Sequence, residues 1–428
     1  MLKINFMKYK YLQLVLLFAF CCVAFAGDIS RIGGPPRLQG VKHKILVLEF
    51  DSPQLSDWGR DISQIIAQQV LGTIEGVTSV GVINLRQTET RIELTPKRIH
   101  EEALNQNALV VIWGEFYEDS TDVWLHPHLR LVPREEFPVS AFGLMIPDQY
   151  SRDTLKAAIP TLQINFAPLR LPVQTLKDLS RFYRQTVTLR ESPDLNAPST
   201  GQLQMGDTYY LIDKQNDWTK ISTRSGKTGW IRHTVLDTKK QFEDLQGVVK
   251  LAQGIVQYMA GNYRLSANSF QNYLDKNAYR QDSMNRAFAH IMLGNSKFWG
   301  KEYFNRIPRD EDVSIEYYRA KQLLPGHPSP VNHLAIVNMY KMRFHPSREM
   351  IPAIEKELIE IIKTQNDLDA IGNLRIAYGM VERNLDWLAK RDGSSESAAS
   401  LRSRLNEKIS KLDHVAEQLK VQRIAPER

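Results

Sequence analysis

Apolar and polar positions change rhythm three times along this chain. From residue 43 to about 170, short apolar runs alternate with helical periodicity. Ile45-Leu46-Val47-Leu48-Glu49-Phe50 is an apolar run of strand length, the pattern of a strand buried on both faces. Asp51-Ser52-Pro53 ends it, and Ser56 is placed to cap a helix with Ile62, Ile65, Ile66 and Val70 on one side. Val77–Ile83 reads as a second strand. Thr95-Pro96 supplies a cap and a first-turn proline for a helix over Lys97–Asn105. Ala108–Trp113 reads as a third strand, with Gly114 letting the chain turn. Val123–Val132 is long and partly alternating, and Pro127 argues that it lies at an edge. Ser151–Leu162 reads as a further helix. Strand–helix–strand–helix–strand predicts a small α/β domain over 43–170.

The rhythm shortens between residues 184 and 237. Val187 and Leu189 alternate with polar neighbours, and Ser192-Pro193 opens a loop that runs to Ser199. Leu203 and Met205 mark a second strand, Gly206-Asp207 a turn, and Thr208–Ile212 a third strand. Asn216-Asp217 turns the chain into Trp218–Ile221, and Ser225–Gly229 returns it to Trp230-Ile231. Five short strands in about 50 residues close most readily into a small barrel.

From residue 240 the spacing becomes three and four. Phe242, Leu245, Val249 and Ala252 share a face, and Gln246–Met259 reads as one helix. Gly261-Asn262 turns it into Tyr263–Leu274. Met284–Leu293 and Lys297–Ile307 read as separate helices around a Gly294-Asn295 turn, followed by Val313–Leu324, Val331–Met342, Pro352–Lys363 and Asp369–Leu388. Helix pairs of this size are the unit of a solenoid, here predicted over 240–390. The tail, 396–425, carries Leu401, Leu405, Ile409, Leu412, Ala416 and Leu419 as a coiled-coil-like seam, to be buried within the chain or by self-association in a dimer. Gly393-Ser394-Ser395 before it reads as a hinge. The expected fold class is therefore multidomain: a small α/β domain, a β-barrel and an α-helical array.

Composition adds compartment and excludes chemistry. Lys3, Lys8 and Lys10, the apolar run Leu12–Phe25 and Ala24-Phe25-Ala26 together read as a secretion signal over residues 1–26. The run is short for a span, which needs roughly 20 residues. Both cysteines, Cys21 and Cys22, lie inside it, so the exported chain would hold no thiol for a disulfide, a metal or a nucleophile. The formal charge is +7, and +4 without the three leader lysines, too mild and too dispersed for a nucleic-acid footprint. No glycine-rich phosphate loop follows Phe50, and neither H-E-x-x-H nor G-x-S-x-G occurs. His126 and His128 face the same way on one strand but lack companions to complete a metal's four ligands. No cofactor, metal or catalytic residue is expected.

The middle segment resembles the bacterial SH3 (SH3b) family. The residues that carry the likeness are Leu189-Arg190-Glu191-Ser192-Pro193, Gly201-Gln202-Leu203, Gly206-Asp207-Thr208-Tyr209, Trp218–Ile221 and Gly229-Trp230-Ile231, in the family's order. The resemblance implies recognition of cell-wall peptide or glycan, or docking within larger proteins. Met259-Ala260-Gly261-Asn262-Tyr263 with Phe270, echoed by Met292-Leu293-Gly294-Asn295 with Phe298, resembles the tetratricopeptide (TPR) turn and implies a concave face for a peptide or protein. Phe50-Asp51 and Val111-Ile112-Trp113-Gly114 resemble the N-terminal α/β domains of the TolB and CsgG envelope groups, which implies an accessory or docking role.

Together these readings predict a non-enzymatic scaffold or adaptor, exported to the periplasm or cell envelope of a bacterium. Its partner would be an envelope protein or cell-wall peptide or glycan. The ligand-binding candidates are Trp218, whose ring could stack on a sugar or peptide face, Tyr209 and Tyr210 at its edge, and Arg190, which could pair with a backbone carbonyl or an acidic ligand. Trp218 and Trp230 could instead fill the small core. The alternatives are a peptidoglycan or polysaccharide hydrolase, which would need paired carboxylates in a cleft, and an accessory protein of an outer-membrane secretion or assembly system.

Overall fold

The computed structural model describes residues 43–424 apart from 53–57, 74–79, 86–93, 136, 149–152, 184, 205–208, 224–225, 233–244, 277–281, 301–310, 345–349 and 386–397. The leader, the Ser56 cap, the Gly206-Asp207 turn and the Gly393-Ser394-Ser395 hinge lie outside the described residues.

The first unit is a sheet in the order β2-β1-β3-β4-β7. Strand β1 (His43–Leu48) is followed by helix α1 (Trp58–Thr73), β2 (Val80–Leu85), α2 (Pro96–Asn105), β3 (Val110–Glu118) and β4 (Asp122–Leu131). Strands β7 (Gln163–Asn165) and β8 (Leu169–Pro172) both pair with β4. Strand β1 runs parallel to β2 and β3, and β3 antiparallel to β4. The apolar run is buried on both faces, as its pattern requires. Ile45 and Val47 join Ile62, Ile65, Ile66 and Val70 of α1 in the main core. Leu46 and Leu48 meet Ile99 and Ala103 of α2 in a smaller one. Thr95 caps α2, its hydroxyl oxygen accepting from the Arg98 N–H at 3.4 Å.

Three expectations for this unit are corrected. Gly114 does not turn the chain. It lies inside β3, where a Cβ would stand 2.4 Å from the Phe50 ring and 2.5 Å from the His126 carbonyl. The glycine serves close packing rather than reversal. Strand β4 is not an edge, since β3 flanks it on one side and β7 and β8 on the other. Pro127 is tolerated because it falls between the residues paired with β8 (122–125) and those paired with β7 (128–130), where its missing N–H breaks no ladder. The described part of the predicted helix 151–162, residues 153–162, is not helical. Strand β6 (Thr154–Ala157) pairs with β5 (Leu144–Pro147), and Leu155, Ala157 and Ile159 are buried with period two. The helix in this region comes later, as α3 (Val173–Tyr183).

Strands β9 (Thr186–Arg190), β10 (Ser199–Gln204), β11 (Tyr209–Gln215), β12 (Trp218–Thr223) and β13 (Thr228–Arg232) form an antiparallel five-stranded sheet in the order β10-β9-β13-β12-β11. Leu189, Leu203, Ile221, Trp230 and Ile231 are among its buried apolar residues.

Helices α4 (Gln246–Met259), α5 (Tyr263–Lys276), α6 (Ser283–Trp299), α7 (Glu311–Leu323), α8 (Pro328–Phe344), α9 (Met350–Gln365), α10 (Leu368–Arg383) and α11 (Ala398–Ile424) follow. Gly261 makes the predicted turn at φ 77°. Gly294-Asn295 makes none, because α6 runs through both. A Cβ at Gly294 would stand 2.5 Å from the Tyr317 ring, and the Asn295 amide oxygen accepts from the Tyr317 hydroxyl at 2.8 Å. Gly254 of α4 likewise receives the Phe270 ring of α5. In both pairs a glycine on one helix seats an aromatic ring of the next.

Helices α4, α6, α8 and α10 form an inner layer. Helix α4 packs on α1, β1, β3 and β4, α6 on β7, and α8 and α10 on β6. Helix α4 is buried almost all round, including Gln253 and Gln257, because the sheet lies on one side and the array on the other. One apolar core runs continuously from Ile45 through the small sheet's Leu189 and Ile221 to Leu405 of α11. The α11 seam packs against the chain's own core, with Leu405 buried and Leu401, Ile409 and Leu412 partly buried. Leu401, Leu405, Ile409 and Leu412 join that core, and Asp413 and Arg402 pair with Arg375 and Glu382 of α10.

Candidate functional site

The small barrel is positioned by tight local constraints. Asn216 adopts φ 48° to close the two-residue hairpin between β11 and β12, a conformation Asn tolerates better than most side chains. Gly229 lies so close to β9 that a Cβ would stand 2.6 Å from both the Leu189 Cβ and the Thr200 hydroxyl. Ile221 and Ile231 are buried, so the alternate residues of β12 and β13 occupy the other face. Register sets Trp218 opposite Arg232, Lys220 opposite Trp230, and Trp230 opposite Arg190. Two indoles and three cations thus share one face. Asp213 stands opposite Lys220 at its rim.

Each predicted residue has a definite place. Trp218 is half-buried, which leaves part of its ring to solvent, directly after the hairpin turn. Trp230 is buried, with the Lys220 ammonium 5.9 Å from its ring centroid. The cation covers an aromatic face that the register turns away from Ile231. Arg190 donates from Nη1 to the Ala197 carbonyl at 2.9 Å and so ties down the loop 191–198. The backbone carbonyl is therefore its partner, one of the two roles read from the sequence. Tyr209 and Tyr210 are placed here by backbone register alone. They lie opposite Thr223 and Ser222, whereas Trp218 lies opposite Gln215. Four residues of strand separate the two positions by about 13 Å. Arg232, in register, and Lys220, two residues along β12, are the cations nearest Trp218 on this face. Cross-strand register, which depends on the irregularity between Leu211 and Asp213, is what the sequence did not reveal.

An exposed aromatic pair elsewhere escaped the sequence reading. Tyr117 on β3 and Trp124 on β4 face each other in register, 46% and 40% exposed. Asp119 accepts from the Thr121 and Asp122 N–H groups, and these backbone bonds bring its pKa down to about 2. Its other oxygen accepts from the Trp124 indole N–H at 3.3 Å. The strong strand pattern of this segment hid the surface meaning of its aromatic positions. His126 and His128 do share a face. His126 lies edge-on to Tyr117, and His128 meets Asn165 through Nδ1 at 2.9 Å. Among the described residues no three or more His, Cys, Asp or Glu side chains are grouped to hold a metal ion.

A buried carboxylate of the array gathers several partners. Glu316 meets His290 Nδ1 at 2.7 Å, Lys297 Nζ at 2.8 Å and Arg319 Nη1 at 3.3 Å. Burial alone would raise its pKa, but the bonds from His290 and Lys297 outweigh that and hold it low. A carboxylate bonded by an imidazole, an ammonium and a guanidinium ties α6 to α7.

Residues 185–237 match the family model of the bacterial SH3 domain. The match spans all five strands of the barrel and the Trp218 face. Comparison of the chain with curated proteins gives no match. No described helix is long and apolar enough to cross a membrane.

Proposed function

We propose that this protein is a non-enzymatic contact protein of the bacterial cell envelope, exported by its leader, whose barrel docks on cell-wall peptide or glycan or on an envelope protein. The observation that carries the reading is the half-exposed Trp218 between Lys220 and Arg232 on a barrel of the bacterial SH3 type. A flat ring offers stacking area to a sugar or peptide, and flanking cations select for carboxylate-bearing material. Glu316, a buried carboxylate of the array, sits among His290, Lys297 and Arg319 rather than beside a second acid, which supports a non-hydrolytic reading. The exported compartment follows from residues 1–26 and from a chain without thiols beyond them.

The test is co-sedimentation of the mature protein with purified cell wall, alongside Trp218→Ala. Wild type is expected in the pellet and the variant in the supernatant, with matching circular dichroism. Equal pelleting of both would remove Trp218 from the reading. Failure of both would move protein partners to the front.

A further inference from the structure

The sheet of the first unit has two faces, and helices cover them unequally. Through Ile112, Phe116, Val123, Leu125 and Leu129, strands β3 and β4 enter the main core on one face. On the other face α2 covers Leu46, Leu48, Val111 and Trp113. From Glu115 onward this second face opens to solvent. Glu115, Tyr117, Trp124 and Arg170 are exposed there, with His126 and His128 half-buried. Register arranges these side chains in rows across the strands. Tyr117, Trp124 and Arg170 form the first row, Glu115 and His126 the second, and Trp113, His128 and Asn165 the third. The three rows span about 13 Å along β4.

The exposed rings are held in place. The Trp124 indole N–H donates to Asp119 Oδ2 at 3.3 Å, while Asp119 Oδ1 accepts from the Thr121 and Asp122 N–H groups at 2.8 Å each. Arg170 donates to Asp122 at 2.6 Å, and its guanidinium carbon stands 6.0 Å from the Trp124 ring centroid. Tyr117 meets the His126 ring edge-on at 5.7 Å. At the far row Asn165 Oδ1 accepts from Gln163 Nε2 at 3.0 Å and meets His128 Nδ1 at 2.9 Å. A ring fixed before binding lowers the ordering cost of whatever it receives. Charge narrows the occupant. Asp122 and Arg170 cancel one another, which leaves Glu115 and Asp119 beside the two exposed rings. Carboxylates there disfavour an anionic ligand and accept from hydroxyl groups. The barrel is the reverse, with Lys220 and Arg232 nearest Trp218.

We infer that this open sheet face is a binding site for an uncharged oligosaccharide, whose pyranose rings lie on Tyr117 and Trp124 and whose hydroxyls donate to Glu115 and meet His126. A sugar ring has an apolar C–H face and a polar rim, and aromatic rings interleaved with donors and acceptors match both. A protein partner would call for an apolar centre. Among the described residues the strongly exposed large apolar side chains of this sheet are Tyr117 and Trp124, both aromatic and both with polar neighbours. The face is open along β4, which suits the interior of a chain rather than its end. Carboxylate-bearing wall material is left to the barrel, and this inference does not depend on the barrel's ligand.

The test is isothermal titration of the mature protein with two uncharged probes, cellotetraose and β-1,4-mannotetraose. Tetragalacturonate supplies carboxylates for comparison, and deacetylated chitotetraose supplies ammonium groups. At least one uncharged probe should bind to saturation. Trp124→Ala and Tyr117→Ala, both at exposed positions, should each weaken that binding at least about tenfold with unchanged circular dichroism. Trp124→Phe, which keeps a ring, should retain more of it than Trp124→Ala. Trp218→Ala should leave it unchanged, which separates this site from the barrel. Any binding of tetragalacturonate should be the same in wild type and Trp124→Ala. Four results would overturn the inference. Neither uncharged probe binds; or wild type, Trp124→Ala and Tyr117→Ala bind it equally; or Trp218→Ala alone abolishes binding, which would place the sugar on the barrel. The fourth is a preference of at least about tenfold for chitotetraose that is lost in Trp124→Ala, which would make the face a cation site.

Discussion

The barrel and the inner face of the array were both read from the sequence as contact surfaces, and the structure treats them in opposite ways. On the barrel, Trp218 remains partly open to solvent with Arg232 exposed beside it. On the array, Asn373, Ser329, Asn285 and Tyr258 already hold the chain's own backbone. A repeat-like helical pattern therefore predicts a groove but not its vacancy. The inner helices bury their polar clamps at almost no cost because an extended segment from another part of the chain satisfies them.

The comparison can be attacked first through the core that joins the two regions. Ile255 of α4 is fully buried where sheet and array meet. Ile255→Ala should cost about 2–5 kcal/mol. Because one core links the blocks, tryptophan fluorescence and far-ultraviolet dichroism should still report one coincident transition in urea. Separate midpoints for barrel and array would break the picture of a shared core.

A smaller effect is expected at α6. Gly294→Ala places a methyl 2.5 Å from the Tyr317 ring. Overpacking of this kind should cost about 1–3 kcal/mol in chemical denaturation and should leave the wall binding proposed for the barrel unchanged. A neutral substitution would show that Tyr317 can move aside.

Acid should loosen the array before the barrel. His333 is fully buried, and burial holds its folded-state pKa down at about 4 against an ordinary 6.5. The unfolded chain therefore takes up the proton first. This contribution is intact above about pH 6.5 and is lost as pH falls toward 4, by about 1.4 kcal/mol per pH unit at most. Denaturation of wild type and His333→Gln across that window should show the steeper fall in wild type. Parallel curves would assign the acid sensitivity elsewhere.

The smallest change in stability belongs to Arg232, which is exposed. Arg232→Ala should alter stability by no more than about 0.5 kcal/mol. It should nonetheless reduce retention on wall material, and the salt sensitivity of binding should fall with it. Unaltered retention would leave Trp218 as a purely stacking contact.

Much of the fold was legible because local chemistry dictated it. The Ile45–Phe50 run, the Thr95-Pro96 start, the Gly261 turn and the ordered SH3-type motifs each carry their own physical reason. The errors occurred where one residue type serves two purposes. Gly114 and Gly294 read as turns, yet they admit Phe50 and Tyr317. Pro127 read as an edge, yet it fills a gap between two partner strands. Residues 151–162 read as helix although Leu155, Ala157 and Ile159 alternate. On the barrel single residues were legible in their local setting: Arg190 bonds the Ala197 carbonyl and Trp218 is half-buried. The separation of Tyr209 and Tyr210 from Trp218 is a matter of register, which no single strand encodes.

Hydrogen exchange of the intact protein, with and without cell wall, tests the contrast most directly. The account predicts added protection in 218–223 and 228–232, where Trp218, Lys220 and Arg232 lie, and unchanged exchange in 153–166. Slower exchange confined to 153–166 and the inner helices, with the barrel unaffected, would contradict it.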